Sequence, residues 1–429
     1  MASTREQNRA QYGSAGPGAA GLATTESSAR LARPAERAAT LDAVDAYLVR
    51  ESFPRLTAES QQAMEYLFAR LFAAGPELRG LFPLSMTQTR HSVFQMLTRL
   101  VADLEDEGKT RAALAAIAAD HRKFGVSPRH YQPFFDAVLA MAGQLLGPGW
   151  TPETSRAWQA VTSYCVAVMT EATRAAEAAG PAWWTGEVVQ HDRRADTIAV
   201  LSIRPDQPLE YQPGQYISVQ TPRWPRTWRS YSVANAPREN GLIDIHVRAV
   251  PGGLVSTALV AHCAAGDTLT LGPARGDMRV DAGSDRDLVC VAGGTGLAPV
   301  KAITEAVVGA ARHGRRRTVT LYAGVRRSRE LYDMRDLETL RLAYPSLTLI
   351  PVVEREIDYA GRIGRLPEVV ALHPSFRDCD VYVAGPAPMI AATVAALSPR
   401  VPAARLHHDP IDALERARRP KIDYLAELG

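Results

Sequence analysis

The stretch Thr227-Trp228-Arg229-Ser230-Tyr231-Ser232-Val233-Ala234-Asn235-Ala236-Pro237 lies near the middle of a chain of 429 residues. Trp228 to Val233 alternates bulky and small side chains, which predicts a short strand, and Asn-Ala-Pro predicts the turn that closes it. Arg229, Tyr231 and Ser232 together suit a flavin dinucleotide. A guanidinium forks onto a pyrophosphate, a phenol ring lies against an aromatic ring system, and a serine hydroxyl bonds a ring nitrogen. Taken alone, the four residues RSYS read equally well as a surface strand of a β-barrel carrying an ordinary arginine. The flanking sequence decides between the two.

Upstream, Pro213-Gly214-Gln215-Tyr216 marks a turn into a strand; downstream, Pro251-Gly252-Gly253-Leu254-Val255-Ser256-Thr257 joins a glycine turn to a helix start with two hydroxyls, a phosphate-binding arrangement. Short β-branched runs at 187–189, 197–203, 216–219, 229–233, 242–247 and 268–271 are spaced like the strands of a small antiparallel barrel. From about Asp287 strands alternate with helices, which predicts a parallel sheet covered on its faces. There Leu288 to Ala292 is a buried strand turned into a helix by Gly293-Gly294-Thr295-Gly296-Leu297-Ala298-Pro299, whose glycines let a dinucleotide's phosphates approach backbone N–H groups. After the next strand, Gly324-Val325-Arg326-Arg327-Ser328-Arg329 offers arginines for a ribose 2′-phosphate or, equally, a solvated face.

The first part of the chain has a different character. Residues 1–40 are rich in Ala, Gly, Ser, Arg and Gln without aliphatic periodicity, the composition of a disordered tail. Residues 41–180 read as successive helices. One runs through Met64, Leu67, Phe68, Leu71 and Phe72 from a cap at Thr57. Others cover 91–104 and 110–123, and two more start at the pairs Ser127-Pro128 and Thr151-Pro152. His121 falls at the end of the third. By itself it is a dipole-stabilised surface residue or a proximal haem ligand. Phe82 is a core phenylalanine or a ring packed on a porphyrin.

Composition bounds the function. The chain is too long for a single core, and its net charge of +3 gives no electrostatic reason to expect nucleic acid or a membrane surface. Cys165, Cys263, Cys290 and Cys379 are far apart with no CxxC, which argues against a zinc site, an iron–sulfur cluster or a disulfide scaffold and fits a cytoplasmic protein. No apolar run reaches membrane-spanning length, and the N-terminus lacks a signal-peptide core.

Three further stretches turn these separate readings into a resemblance. FARLFAAGPELRGLF (68–82) and Ala118-x-x-His121, continued by Val126-Ser127-Pro128-x-x-Tyr131, resemble the globin domain of the flavohaemoglobins. RSYS with PGQY and PGGLVS resembles the FAD-binding barrel of the ferredoxin–NADP reductase superfamily, and GGTGLAP with Gly385-Pro386-Ala387-Pro388-Met389 resembles its nicotinamide domain. The resemblance implies an all-α haem domain at 41–180, an FAD barrel at 181–284, an NAD(P)-binding α/β domain at 285–412 and a tail at 413–429. It implies haem b on His121, supported by Tyr131, with a glutamate of the family falling on or near Thr173. FAD contacts fall on Tyr216, Arg229, Tyr231, Ser232, Gly252, Gly253 and Ser256. NAD(P)H contacts fall on Gly293, Gly294, Thr295, Gly296, Pro299, Arg326, Gly385 and Pro386. On the distal side Phe68 takes the place of the family's tyrosine and Thr89 that of its glutamine, with Phe82 packed on the haem. Ala384 replaces a cysteine beside the nicotinamide, and Ile411 an aromatic residue over the flavin.

The implied function is an electron path from NAD(P)H through FAD to haem, most simply for nitric oxide dioxygenation, with O2, NO and NAD(P)H as small-molecule partners and a monomer or weak dimer as the working unit. A haem–flavin reductase acting on ferric iron, a quinone or another organic acceptor is the alternative. A haem-based oxygen or redox sensor is the reading of another class.

Overall fold

The computed structural model describes residues 40–281, 283–311, 314 and 316–409. The expected N-terminal tail up to Ala39, Ile411 and the tail at 413–429 lie outside these residues.

The helical part is built from α1 (Ala43–Ser52), α2 (Pro54–Ala58), α3 (Ser60–Ala74), α4 (Thr87–Ala102), α5 (Glu107–His121), α6 (Tyr131–Leu146) and α7 (Pro152–Ala179). Asp42 starts α1, its carboxylate accepting the Val44 N–H at 2.8 Å, and Asp106 starts α5 by accepting the Lys109 N–H at 3.0 Å. Such caps satisfy otherwise orphaned N–H groups and stabilise by about 1 kcal/mol. Two sequence-based starts are corrected. Thr57 lies inside α2 and bonds back to Pro54, because proline at the first helical position begins a separate short helix. Thr110 lies inside α5, fully buried, and its hydroxyl donates to the Asp103 carbonyl at 2.7 Å. Thr151 caps α7 as expected, accepting the Thr154 N–H at 3.2 Å. The long α7 packs against α1, α5 and α6, and Trp158 pins it to α1 by donating from Nε1 to Ser52 Oγ at 3.0 Å.

The next stretch contains β1 (Trp184–Ala195), β2 (Ile198–Pro205), β3 (Tyr216–Gln220), β4 (Arg229–Ser232), β5 (Ile243–Arg248), α8 (Leu254–Ala261) and β6 (Thr268–Leu271). Among the described residues the strands form an antiparallel sheet in the order β4-β3-β6-β1-β2-β5, and an antiparallel bridge between Val233 and Ile245 brings its two edges together. The sheet is therefore a barrel, filled by Ile203, Ile217, Ile243, Ile245, Leu269 and Leu271. Gly214 of PGQY has φ 99°, and a Cβ there would run into the Met278 carbonyl, so this turn requires glycine. Asn235, fully buried, ties the turn after β4 to β5: its Oδ1 accepts the Asp244 N–H at 2.7 Å and its Nδ2 donates to the Leu242 carbonyl at 3.0 Å.

The last stretch runs β7 (Asp287–Gly293), α9 (Leu297–Ala311), β8 (Val319–Val325), α10 (Met334–Ala343), β9 (Leu347–Val353), β10 (Arg362–Ile363), α11 (Leu366–Ala371), β11 (Cys379–Ala384), α12 (Ala387–Leu397) and β12 (Leu406–His408). Its described strands are all parallel, in the order β10-β9-β8-β7-β11-β12. The chain winds outward from β7 to β10 and then returns to the other side of β7 as β11. The gap between the C-terminal ends of β7 and β11 is thus the switch point where open parallel sheets bind ligands. A buried ionic cluster joins barrel and sheet: Lys301 reaches Asp333 at 2.8 Å and Asp336 at 3.3 Å, and Arg194 of β1 reaches the same two carboxylates at 3.3 and 3.1 Å. Removing one partner of such a pair costs about 3–5 kcal/mol. The fold class is the one the sequence implies: helical, then antiparallel barrel, then parallel α/β.

Candidate functional site

A cleft of about 630 Å³ opens at that switch point, between the barrel and the parallel sheet. Tyr231 and Ser232 reach it from β4, Gly293 to Gly296 from the end of β7 and the turn after it, Pro299 from the first turn of α9, Arg326 from the end of β8, and Gly385 and Pro386 from the turn after β11. The two turns touch. A Cβ on Gly296 would strike the carbonyl of Ala384 and the Cα of Gly385, so glycine is what lets the two backbones meet under the cleft. Ala384 lines the cleft between them.

On β4 the phenol ring of Tyr231 packs against the barrel core, and burial raises its pKa far enough that it remains protonated. Tyr216 stands directly across the ladder from Ser232. Arg229 is half-buried and donates from Nη1 to the Trp228 carbonyl at 2.7 Å. The Pro-Gly-Gly turn follows β5, outside the cleft lining. Gly253 caps α8, and the Ser256 hydroxyl holds the turn closed, donating to the Gly253 carbonyl at 3.1 Å and accepting the Val250 N–H at 3.3 Å. Gly252 sits in that turn with φ 70°.

Residues the motifs did not single out also face the cleft. Since Ile243, Ile245 and Val247 of β5 fill the core, strand alternation sends Asp244, His246 and Arg248 to the opposite face, a signal legible in the sequence. His246 is 4% exposed; its Nδ1 pairs with Tyr332 Oη at 2.8 Å, while its Nε2 is buried without a partner and the ring lines the cleft. Burial lowers its pKa well below the usual histidine range, so it is neutral. Glu330 fixes the loop after β8 by accepting the N–H groups of Arg326 and Arg327 at 3.0 and 3.3 Å. Arg355 donates its N–H to the Arg326 carbonyl at 2.9 Å, so two arginines adjoin at the cleft mouth.

In the helical part, His121 ends α5. Its Nδ1 lies 2.8 Å from the Ile117 carbonyl, which can only accept, so Nδ1 carries the proton and Nε2 keeps its lone pair. Desolvation lowers its pKa, which favours the neutral ring. A neutral imidazole with one nitrogen held by a carbonyl and the other keeping its lone pair is the donor set of an axial haem ligand. Tyr131, buried in the first turn of α6, donates to Thr173 Oγ1 at 2.5 Å, and Thr173 donates onward to the Met169 carbonyl at 2.9 Å. Tyr131 and Thr173 are thus brought together, while His121 takes its orientation from Ile117. Phe68 is buried and packs edge-on against Phe82, with ring centres 5.5 Å apart; Phe72 lies 5.8 Å from Phe68 and 5.5 Å from Phe82. Thr89 sits half-buried in the first turn of α4.

Family models match each part of the chain. Residues 65–169 match the globin model, 187–279 the oxidoreductase FAD-binding domain and 290–395 the oxidoreductase NAD-binding domain. The chain has the domain make-up of a flavohaemoglobin. By that content its cofactors are haem, FAD and a nicotinamide nucleotide. The flavohemoprotein of Rhizobium meliloti is 26% identical over 377 residues, covering 80% of this chain and 91% of that one. The xylene/toluene monooxygenase electron transfer component XylA of Pseudomonas putida is 34% identical over 209 residues, 48% of this chain but 58% of the relative. The chain therefore spans little more than half the length of the reductase relatives it matches. Among solved structures, the flavohemoglobin of Malassezia yamatoensis with bound FAD and heme superposes with a TM-score of 0.71 at 18% identity, over 86% of this chain and 99% of that one, a likeness of fold. Among the described residues of this flavohaemoglobin-type chain, no helix is long and apolar enough to cross a membrane.

Proposed function

We propose that the chain moves electrons from NAD(P)H through FAD to a haem on His121 and uses them as a nitric oxide dioxygenase. The observation that carries the reading is the pairing of a neutral, carbonyl-anchored histidine at the end of α5 with a glycine-floored nucleotide cleft in the same chain. When bound, the flavin accepts a hydride and releases electrons singly, and the haem supplies a one-electron iron centre that takes diatomic gases. Overall, one NAD(P)H supplies two electrons, so two NO and two O2 give two nitrates, NAD(P)+ and one proton.

The chain's own residues have distinct tasks in this scheme. The touching turns at Gly296 and Gly385 would hold the nicotinamide nucleotide, and Arg326 and Arg355 would bind its ribose phosphate. Tyr231 and Ser232 orient the flavin ring, Arg229 its pyrophosphate, with Tyr216, Gly252, Gly253 and Ser256 framing the same cofactor. His121 binds iron through Nε2, and Ile117 holds its orientation. Tyr131 and Thr173 brace the start of α6 against α7. Phe82 would pack against a bound porphyrin, and Phe68 and Thr89 would line the space for the gas. Domain limits at 41–180, 181–284 and 285–412 and a cytoplasmic setting belong to the same reading; the four cysteines are all free thiols, which suits a reducing compartment.

Phe68 favours a second reading. Its ring is enclosed by Phe72 and Phe82 and offers no hydroxyl to bound oxygen. A chain of this kind could instead deliver electrons to ferric iron, a quinone or another organic acceptor.

The two separate in one preparation. The purified protein is expected to show haem and flavin absorbance, and NAD(P)H to reduce both in anaerobic buffer. Absence of a haem band, with His121→Ala spectrally like the parent, would sink the globin half. Aerobic NO consumption no faster than in buffer, beside rapid dye reduction, would select the alternative acceptor.

A further inference from the structure

The 3₁₀ turn Arg122–Phe124 that follows α5 carries an aromatic contact leading away from His121. The rings of His121 and Phe124 lie 5.7 Å apart, edge to face, and those of Phe124 and Trp228 lie 6.2 Å apart, again edge to face. Trp228 belongs to the barrel and immediately precedes β4. By strand alternation it falls on the same face as Ser230 and Ser232, both of which line the cleft. Across the ladder Ser218 pairs with Ser230, so the two side chains are neighbours on that face, with Cβ atoms about 5 Å apart.

Lys123 closes the contact from above. Its ammonium lies 5.1 Å from the centre of the Phe124 ring and 5.7 Å from that of Trp228, and it donates to Asp120 at 2.7 Å and to Ser218 Oγ at 3.0 Å. Its side chain is only 7% exposed. A shielded cation over two rings strengthens their packing, and Asp120 cancels its charge. Phe124 and Trp228, each half-buried, thus form a packed aromatic contact between the strand face that carries Ser230 and Ser232 and the histidine.

We propose that Phe124 and Trp228, clamped by Lys123, form the electronic bridge between the flavin and the haem iron. The proposal rests on the electron path put forward above. In each transfer the reduced flavin loses one electron and the ferric iron gains it; the proton released by the flavin leaves to solvent. Neither ring is oxidised, because both hold their electrons far more tightly than a reduced flavin does. They act as the medium. Tunnelling decays exponentially with distance and decays less steeply through packed π systems than through a gap or solvent, so replacing either ring by an aliphatic side chain weakens the coupling even where packing is kept.

The test is anaerobic stopped-flow spectroscopy on the full-length protein with both cofactors bound, following flavin and haem bands separately after mixing with NADPH or NADH. Trp228→Leu and Phe124→Leu are expected to slow flavin-to-haem transfer on the order of tenfold or more, and Trp228→Phe much less. The hydride step to flavin should be unchanged in all three. Spectroelectrochemical titration should give the parent's haem and flavin potentials in each variant. Leucine variants that transfer at the parental rate would overturn the bridge. So would a potential shift large enough to explain the slowing. A slowed rate that varies with solvent viscosity would mean that the rings merely hold the two parts together, and would also overturn it. Failure of the underlying path looks different: in the unmodified protein the flavin would be reduced and the haem would never follow.

Discussion

Phe68 shows how much one side chain constrains. Its periodic place in α3 says only that it is buried, and 2% exposure agrees. Its packing says more, because the ring meets Phe72 and Phe82 on two sides and an added para-hydroxyl would enter a hydrocarbon cluster. Phe68→Tyr is therefore expected to cost about 1–3 kcal/mol of stability when the hydroxyl finds no partner. In the haem- and oxygen-bound protein that hydroxyl gains an acceptor, and oxygen dissociation should slow. Flash photolysis or stopped-flow displacement measures the second effect; an unchanged rate would show that Phe68 does not face the gas. Tyr131 gives the converse lesson. The resemblance pairs it with the residue at 173 as support for a histidine, and the structure joins Tyr131 to Thr173 while Ile117 holds His121. A threonine is too short to bridge onward, so the orienting task passes to a backbone carbonyl, which sequence does not display.

At the scale of elements, the turns after β7 and β11 form one device. Both are recognisable as glycine–proline motifs, but only the parallel order β8-β7-β11 makes them neighbours. Gly296→Ala is expected to force the two turns apart, since the added methyl meets backbone and no flexible side chain can yield. Nicotinamide binding should weaken on the order of tenfold or more, while FAD content stays at the parental level. Titration of the oxidised protein with NADP+ or NAD+, read from the flavin spectrum, checks this; normal affinity would mean that the loop relaxes without cost. Helix starts were less legible. Thr57 and Thr110 are good capping residues by type, yet the helix through Met64 starts at Ser60 and α5 is capped by Asp106; Thr57 falls inside the short helix that Pro54 begins, and Thr110 is fully buried.

For the whole molecule, the buried polar groups between barrel and parallel sheet link stability to pH. His246 has a folded pKa well below its unfolded value of about 6.5. Below that value the unfolded chain binds the proton and the folded chain does not. Its contribution is therefore fully present above pH 6.5 and is lost as pH falls, by up to about 1.4 kcal/mol per pH unit until the folded pKa is reached. His246→Gln removes this term. Thermal melts from about pH 7.5 to about pH 5.5 should show a shallower acid-side loss in the variant than in the parent. Asp333 and Glu305, raised by burial, act in the opposite sense in both proteins and cancel in the comparison. Equal slopes would mean that the imidazole acquires its proton without unfolding, for instance through water reaching Nε2.

The sequence by itself determined the order of the three architectures and singled out a candidate flavin strand, candidate nucleotide turns and a candidate iron ligand. Each of these is written in local pattern: periodicity, glycine turns and short motifs act over a few residues. Tertiary structure alone decided what those pieces touch. It brought the turns at Gly296 and Gly385 together, turned His246 toward the cleft with an unpartnered nitrogen, and set Phe124 against Trp228 under Lys123. Those contacts join residues far apart in the chain, and their energies depend on burial and on direction, neither of which a linear pattern encodes.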